Sequence, residues 1–123
     1  MPNLNQVTLV GHVTREPELR YTPNQTAVCD VGLAINREWK TEKEEKKSEV
    51  TFVEVTLWAR LAEVAKEFLH KGSPVLFTGR LQMESWVDKS TQDKRQKLTV
   101  VATGMQLLGT RQQPAVVPNE DDL

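Results

Sequence analysis

The chain has 123 residues, one domain's worth, and can bury roughly two thirds of its unfolded surface without staples. Apolar residues make up 38% and charged residues 27%, which excludes both wholesale disorder and a bundle of membrane helices. The formal net charge of −1 hides an asymmetry. Residues 112–123 hold Glu120, Asp121 and Asp122 but no Lys or Arg, so residues 1–111 carry 16 basic and 14 acidic side chains. A slightly basic body with an acidic end argues against a globally basic nucleic-acid binder. No apolar run is long enough for a bilayer span, and the first residues lack the basic and apolar regions of a signal peptide, so no membrane contact is expected. The single cysteine, Cys29, excludes an internal disulfide and fits a reducing compartment.

Five strand-like runs and one helix are predicted. In residues 6–13, Val7, Leu9 and Val13 share one parity, with Gly11 as a bend. Residues 14–26 read as turns, with Pro17, Pro23 and Asn24. The second strand spans 27–36, with Cys29, Val31, Leu33 and Ile35 on its apolar face. Residues 37–49 are dominated by charge and read as a solvated loop or hairpin tip. A third strand covers 50–59. Leu61, Val64, Ala65 and Phe68 then recur at helical spacing, with Lys71 suited to the helix C-terminus, Gly72 to its C′ position and Pro74 beyond. The fourth strand spans 74–86, with Val75, Phe77, Leu81 and Met83 inward and Gly79 as a bend. A polar loop, 87–96, leads to a fifth strand over 97–108.

Three strands, a helix and two strands is the order of the OB-fold, an all-β, five-stranded Greek-key barrel with one helix between strands 3 and 4. The strand glycines Gly11, Gly32, Gly79 and Gly104 fit such curvature. Periodicity alone also allows an SH3-like barrel with an added helix, and the helix position decides for the OB-fold. Residues 1–109 are assigned to the barrel and 110–123 to a flexible acidic tail.

Catalytic chemistry finds little support. His12 and His70 are far apart in sequence, Cys29 reads as core filler, and no phosphate loop, nucleophile elbow or metal-ligand spacing occurs. No enzyme activity, cofactor or metal is expected. The informative feature is the placement of aromatics. In the third strand Phe52 and Trp58 share the polar parity with Glu54 and Thr56, while Val53, Val55 and Leu57 take the apolar one. Trp86 falls with Arg80, Gln82 and Glu84. Trp39 has core parity and reaches solvent only if its strand has ended or bulged. Exposed aromatics mark a binding surface, or a face covered by another subunit. Bases stack on such rings whatever their identity, while Lys and Arg neutralise phosphates. Lys40 and Lys43 follow Trp39, Arg60 follows Trp58, and Lys89, Lys94, Arg95 and Lys97 follow Trp86. The pattern suits single-stranded nucleic acid. Duplex readout calls for a recognition helix, and the predicted helix has no basic face.

The segments NQVTLVGHVTREPELRYTPNQTAV, LAEVAKEFLHKGSPVLFTGRL and MQLLG resemble bacterial-type single-stranded DNA-binding proteins, over about residues 4–109. The resemblance implies an OB barrel assembled as a homotetramer, which coats single-stranded DNA in replication, recombination and repair, in the bacterial cytoplasm at the nucleoid or in an organellar stroma. It places base-stacking aromatics on Trp39, Phe52, Trp58 and Trp86, and phosphate contacts on Arg60 and Lys71. There are departures. Phe52 stands where the family usually has Trp, and Trp58 where it has Phe. Val53 and Glu54 replace a common His-Arg pair, and Glu84 and Ser85 replace basic residues. The acidic end, with Glu120, Asp121, Asp122 and Leu123, lacks the usual Pro-Phe; the resemblance implies a hook there for replication and repair enzymes. The alternatives are a primosome-type OB accessory protein and a protein-interaction module.

Overall fold

Alternating apolar residues supply the inward faces of the strands, and the computed structural model describes residues 2–109. The order is β1 (Val7–Val13), β2 (Glu18–Tyr21), β3 (Ala27–Lys40), β4 (Lys46–Trp58), α1 (Arg60–Phe68), β5 (Pro74–Val87) and β6 (Lys94–Leu107). The sheet runs β1-β5-β6-β4-β3-β2, and a further β1–β3 pairing closes it. Five strands therefore form the expected barrel, with β2 as an appendage. β2 arises inside the stretch expected to be turns. Its four residues hold one half-buried apolar side chain, Leu19, too few for a periodic signal. It pairs with Ala27–Asp30 through a turn in which the Gln25 N–H donates to the Thr22 carbonyl at 2.8 Å. With β2 counted, the helix lies between the fourth and fifth strands, not the third and fourth; among barrel strands alone its place is as expected.

Closure depends on close backbone approach. β1 pairs with β5 from Val7 to His12 and meets β3 at His12 and Val13. At this seam a Cβ on Gly11 would run into the Ala34 carbonyl, so a side chain there would prise the barrel open. The β5–β6 ladder shifts register between Thr78 and Gly79, the bulge that turns the strand round the barrel. Past the start of β1, the Asn5 side chain continues the ladder. Its amide donates to the Leu81 carbonyl and its oxygen accepts the Leu81 N–H, both at 2.8 Å.

The core gathers Cys29, Val31, Leu33, Val55, Leu57, Val75 and Phe77, all fully buried, and one end is plugged by Ala62 and Ala65 of α1 together with Leu69 just after it. The helix is shorter and rotated from expectation. It ends at Phe68, which is 52% exposed, and Leu69, in extended backbone, turns in to 1% exposure. Breaking the helix at Leu69 frees that larger reach from helical parity. Lys66, not Lys71, occupies the last turn. Gly72 is not the C′ residue; it lies in the following turn at φ 92°, and its N–H donates to the Val13 carbonyl at 2.7 Å. Leu81 and Met83, expected inward, are 41% and 55% exposed. They keep core parity at the barrel's open end, where Leu81 opposes the buried Val100 and Met83 the exposed Leu98.

Replacing Phe77 with Ala is expected to cost about 3–5 kcal/mol of stability, while Phe68→Ala should cost less than about 1 kcal/mol; thermal or urea unfolding of the two variants checks the rotated helix face. Burial pushes the Cys29 thiol up, away from the reactive thiolate. Thiol reagents should therefore leave Cys29 untouched in the native protein and label it in denaturant, which mass spectrometry reads directly.

Candidate nucleic-acid interface

Strand register sorts the aromatics. Residues directly opposite across a ladder share a face. On β4, Phe52, Glu54, Thr56 and Trp58 oppose Ala34, Gly32, Asp30 and Val28 of β3. On β5, Glu84 and Trp86 oppose Lys97 and Arg95 of β6. These residues occupy the outer face of the sheet. Phe52 is 72% exposed, Trp58 45% and Trp86 46%, too open for core residues. The parity expected from sequence holds for all three.

Trp39 reaches solvent by a route the sequence did not suggest. β3 neither ends nor bulges before it; pairing with β4 continues unbroken to Lys40↔Lys46. The hairpin instead overruns the barrel, and from Asn36 onward β3 is exposed on both faces. Trp39 thus lies on the opposite face of the ribbon from Phe52. Its flat neighbour is Arg37, whose guanidinium sits 4.8 Å from the ring centroid, an attraction between cation and ring quadrupole. Arg37 also donates to Glu49 at 3.4 Å. Lys40 ends β3, and Lys43 lies in the turn at the tip.

Further cations frame the outer face. Arg60 opens α1 two residues after Trp58, with its guanidinium 3.5 Å from Glu63. Lys89 lies in the β5–β6 turn, and Lys94 and Arg95 open β6. Arg95 Nε is 3.7 Å from Asp88, whose carboxyl is held low by the Ser90 hydroxyl and N–H. Lys71 stands in the turn after α1. Its N–H donates to Glu16 at 2.8 Å, and the His70 ring adds a contact to the same carboxylate at 3.2 Å. The Lys71 N–H, then His70, hold the Glu16 carboxyl below its ordinary range. Trp58 and Arg60, and Trp86 and Arg95, are thus near neighbours; Lys71 belongs to a separate corner, tied to the loop after β1.

Two residues beside the face, Arg15 and Arg20, escaped sequence reasoning. Arg15 passes over Gly32, where a Cβ would collide with its guanidinium, and it lines a groove with Phe52, Glu54 and Lys97. Arg20 pairs with Asp30, which also accepts from the Thr56 hydroxyl at 3.1 Å. The signal for Arg20 and Asp30 would have been the hairpin register, which needs β2 to be recognised first. Glu120, Asp121, Asp122 and Leu123 lie outside the described residues. Among the described residues no group of three or more His, Cys, Asp or Glu could hold a metal ion, and no helix is long and apolar enough to cross a membrane.

Known proteins share this architecture. A structure titled Plasmodium falciparum SSB complex with ssDNA superposes with a TM-score of 0.79 at 21% identity, covering 89% of this chain and 98% of that one; at that identity it shows the fold alone. The wild-type single-stranded DNA binding protein from Thermus aquaticus gives 0.76 at 31% identity, over 89% of this chain and 52% of the other. A single-stranded DNA-binding protein of Wolinella succinogenes is 46% identical over 107 residues, 87% of this chain and 65% of the relative. One from Deinococcus radiodurans is 41% identical over 105 residues, 85% of this chain and 34% of the relative. The chain therefore spans less than two thirds of the length of these curated relatives. The Single-strand binding protein family matches residues 4–108, nearly all of the described fold, and the chain belongs to that family.

Proposed function

We propose that this protein binds single-stranded DNA without regard to sequence and acts by coating it, as a binder and not an enzyme, with no cofactor or metal. The observation that carries this reading is the exposure of Phe52, Trp58 and Trp86 on one outer sheet face bordered by Arg60, Arg95 and Lys97. Every base has a π-face, so rings spaced along a sheet take any sequence. Lys40 and Lys43 on the overrunning hairpin extend the path, Trp39 offers a further ring on the opposite face of that ribbon, and Lys89 and Lys94 extend the path at the other end. The named relatives bind single-stranded DNA, which supports the same ligand here.

The proposal extends to a homotetramer serving replication, recombination and repair, in a bacterial cytoplasm at the nucleoid or an organellar stroma. The resemblance supports the assembly, and a native mass of four chains is the expected result. The acidic residues Glu120, Asp121 and Asp122, with Leu123, are proposed as a hook for partner enzymes.

Titration with oligo(dT) should quench tryptophan fluorescence, because stacking places a base against the indole. Trp58→Ala and Trp86→Ala should each weaken binding by about 1–3 kcal/mol and leave the melting temperature nearly unchanged. No quench with oligo(dT) would sink the reading. Binding should also weaken with salt, with a slope of about −0.7 per phosphate neutralised. Because acids are interspersed on the face, few phosphates per chain are expected to count. An affinity independent of salt would remove the assigned Lys and Arg contacts.

A further inference from the structure

Phe52 and Trp86 stand on the same outer face, on β4 and β5, with β6 between them. β4 and β6 pair at Val55–Val100 and Thr56–Val101, short of Phe52 and Trp86, so at least two strand spacings, about 10 Å, separate the two backbones. Charge fills that gap. Lys97 of β6 directly opposes Glu84 of β5, while its ammonium is bonded to Glu54 of β4. Glu84 is engaged elsewhere: its carboxylate accepts from the Thr99 hydroxyl at 3.4 Å. The Lys97 and Glu54 side chains are 45% and 31% exposed, open enough to be reached by a ligand yet screened less than a fully solvated pair. Arg15 lines the same groove from the loop after β1.

We propose that Glu54 is a lock on Lys97. In the free protein the carboxylate holds the ammonium. A single strand running from Phe52 to Trp86 passes over this pair and draws Lys97 onto a phosphate oxygen. The proposal rests on the single-stranded DNA reading above and names a control within that site. Two consequences follow from charge alone. Transfer of Lys97 leaves Glu54 unpaired beside a phosphate, a like-charge contact that lowers affinity. It also flattens the salt dependence, because the freed carboxylate takes up a cation as the phosphate releases one. The lock therefore makes the middle of the path weaker and less salt-sensitive than its aromatic ends.

The test uses the full chain and three variants: Glu54→Gln, Lys97→Gln and the double variant. Glutamine keeps the shape of each long side chain and removes its charge. Affinity for a short oligo(dT) is read from tryptophan quenching at several salt concentrations, with circular dichroism melts confirming that each variant is folded. Glu54→Gln should bind roughly three- to fivefold tighter at low salt. Its slope of log affinity against log salt should be steeper by about 0.7, one further phosphate. Lys97→Gln should cost more in the Glu54→Gln background than in the native one, since only a released lysine contacts phosphate fully. Unchanged affinity and slope in Glu54→Gln overturn the lock. So does an equal cost of Lys97→Gln in both backgrounds, which would mean that the two residues act independently. If the native chain itself fails to bind oligo(dT), the functional reading falls as well; native binding with no Glu54→Gln effect removes the lock alone.

Discussion

The barrel is shorter than the strands that build it, and most of what distinguishes this molecule follows from that mismatch. β3, β5 and β6 each run 14 residues and β4 runs 13, which at about 3.3 Å per residue is far longer than one small core can cover. In β3 the well-buried stretch is Ala27–Leu33, and everything beyond Ile35 is exposed. The surplus length emerges as two hairpins, β3–β4 and β5–β6, with both faces in water. Core parity loses its meaning there. Leu81 and Met83 on one ribbon and Trp39 on the other all point as core residues do and find no core to enter.

Closure of the barrel wall and of one mouth allows this overrun. Gly11 lets β1 come close enough to β3 to seal the barrel, and α1 stoppers it with the small residues Ala62 and Ala65 and the reach of Leu69. The helix itself is slung between two backbone anchors. The Ala59 N–H donates to the Ala27 carbonyl at 2.8 Å, and the Val13 N–H donates to the Ser73 carbonyl at 3.0 Å. A barrel sealed on one side tolerates loose ribbons on the other, since core packing does not depend on them. Binding surfaces are commonly carried this way, on extensions held by a rigid scaffold.

The electrostatics of the outer face are those of a balanced surface. Acids and bases alternate along it in bonded pairs, Arg20 with Asp30, Lys97 with Glu54, and Arg95 beside Asp88. Such a surface attracts polyanions less at long range than an unpaired lysine patch would. On the proposed reading, stacking on the exposed Phe52, Trp58 and Trp86 is then the larger contribution, and it does not discriminate among bases. Pairing also keeps these cations oriented in the absence of ligand.

By itself the sequence determined the strand alternation, the helix between barrel strands, the buried thiol of Cys29, and the outward parity of Phe52, Trp58 and Trp86. All of these are local periodicities, legible because a strand has period two and a helix 3.6. Tertiary structure decided what periodicity cannot reach. β2 needed a partner strand to exist, since four residues carry no pattern of their own. Leu69 displaced Phe68 from the core because the helix stops where the barrel mouth lets an extended residue turn inward. Trp39, Leu81 and Met83 were left in solvent because parity says which way a side chain points, while only the packed barrel says whether anything is there to cover it.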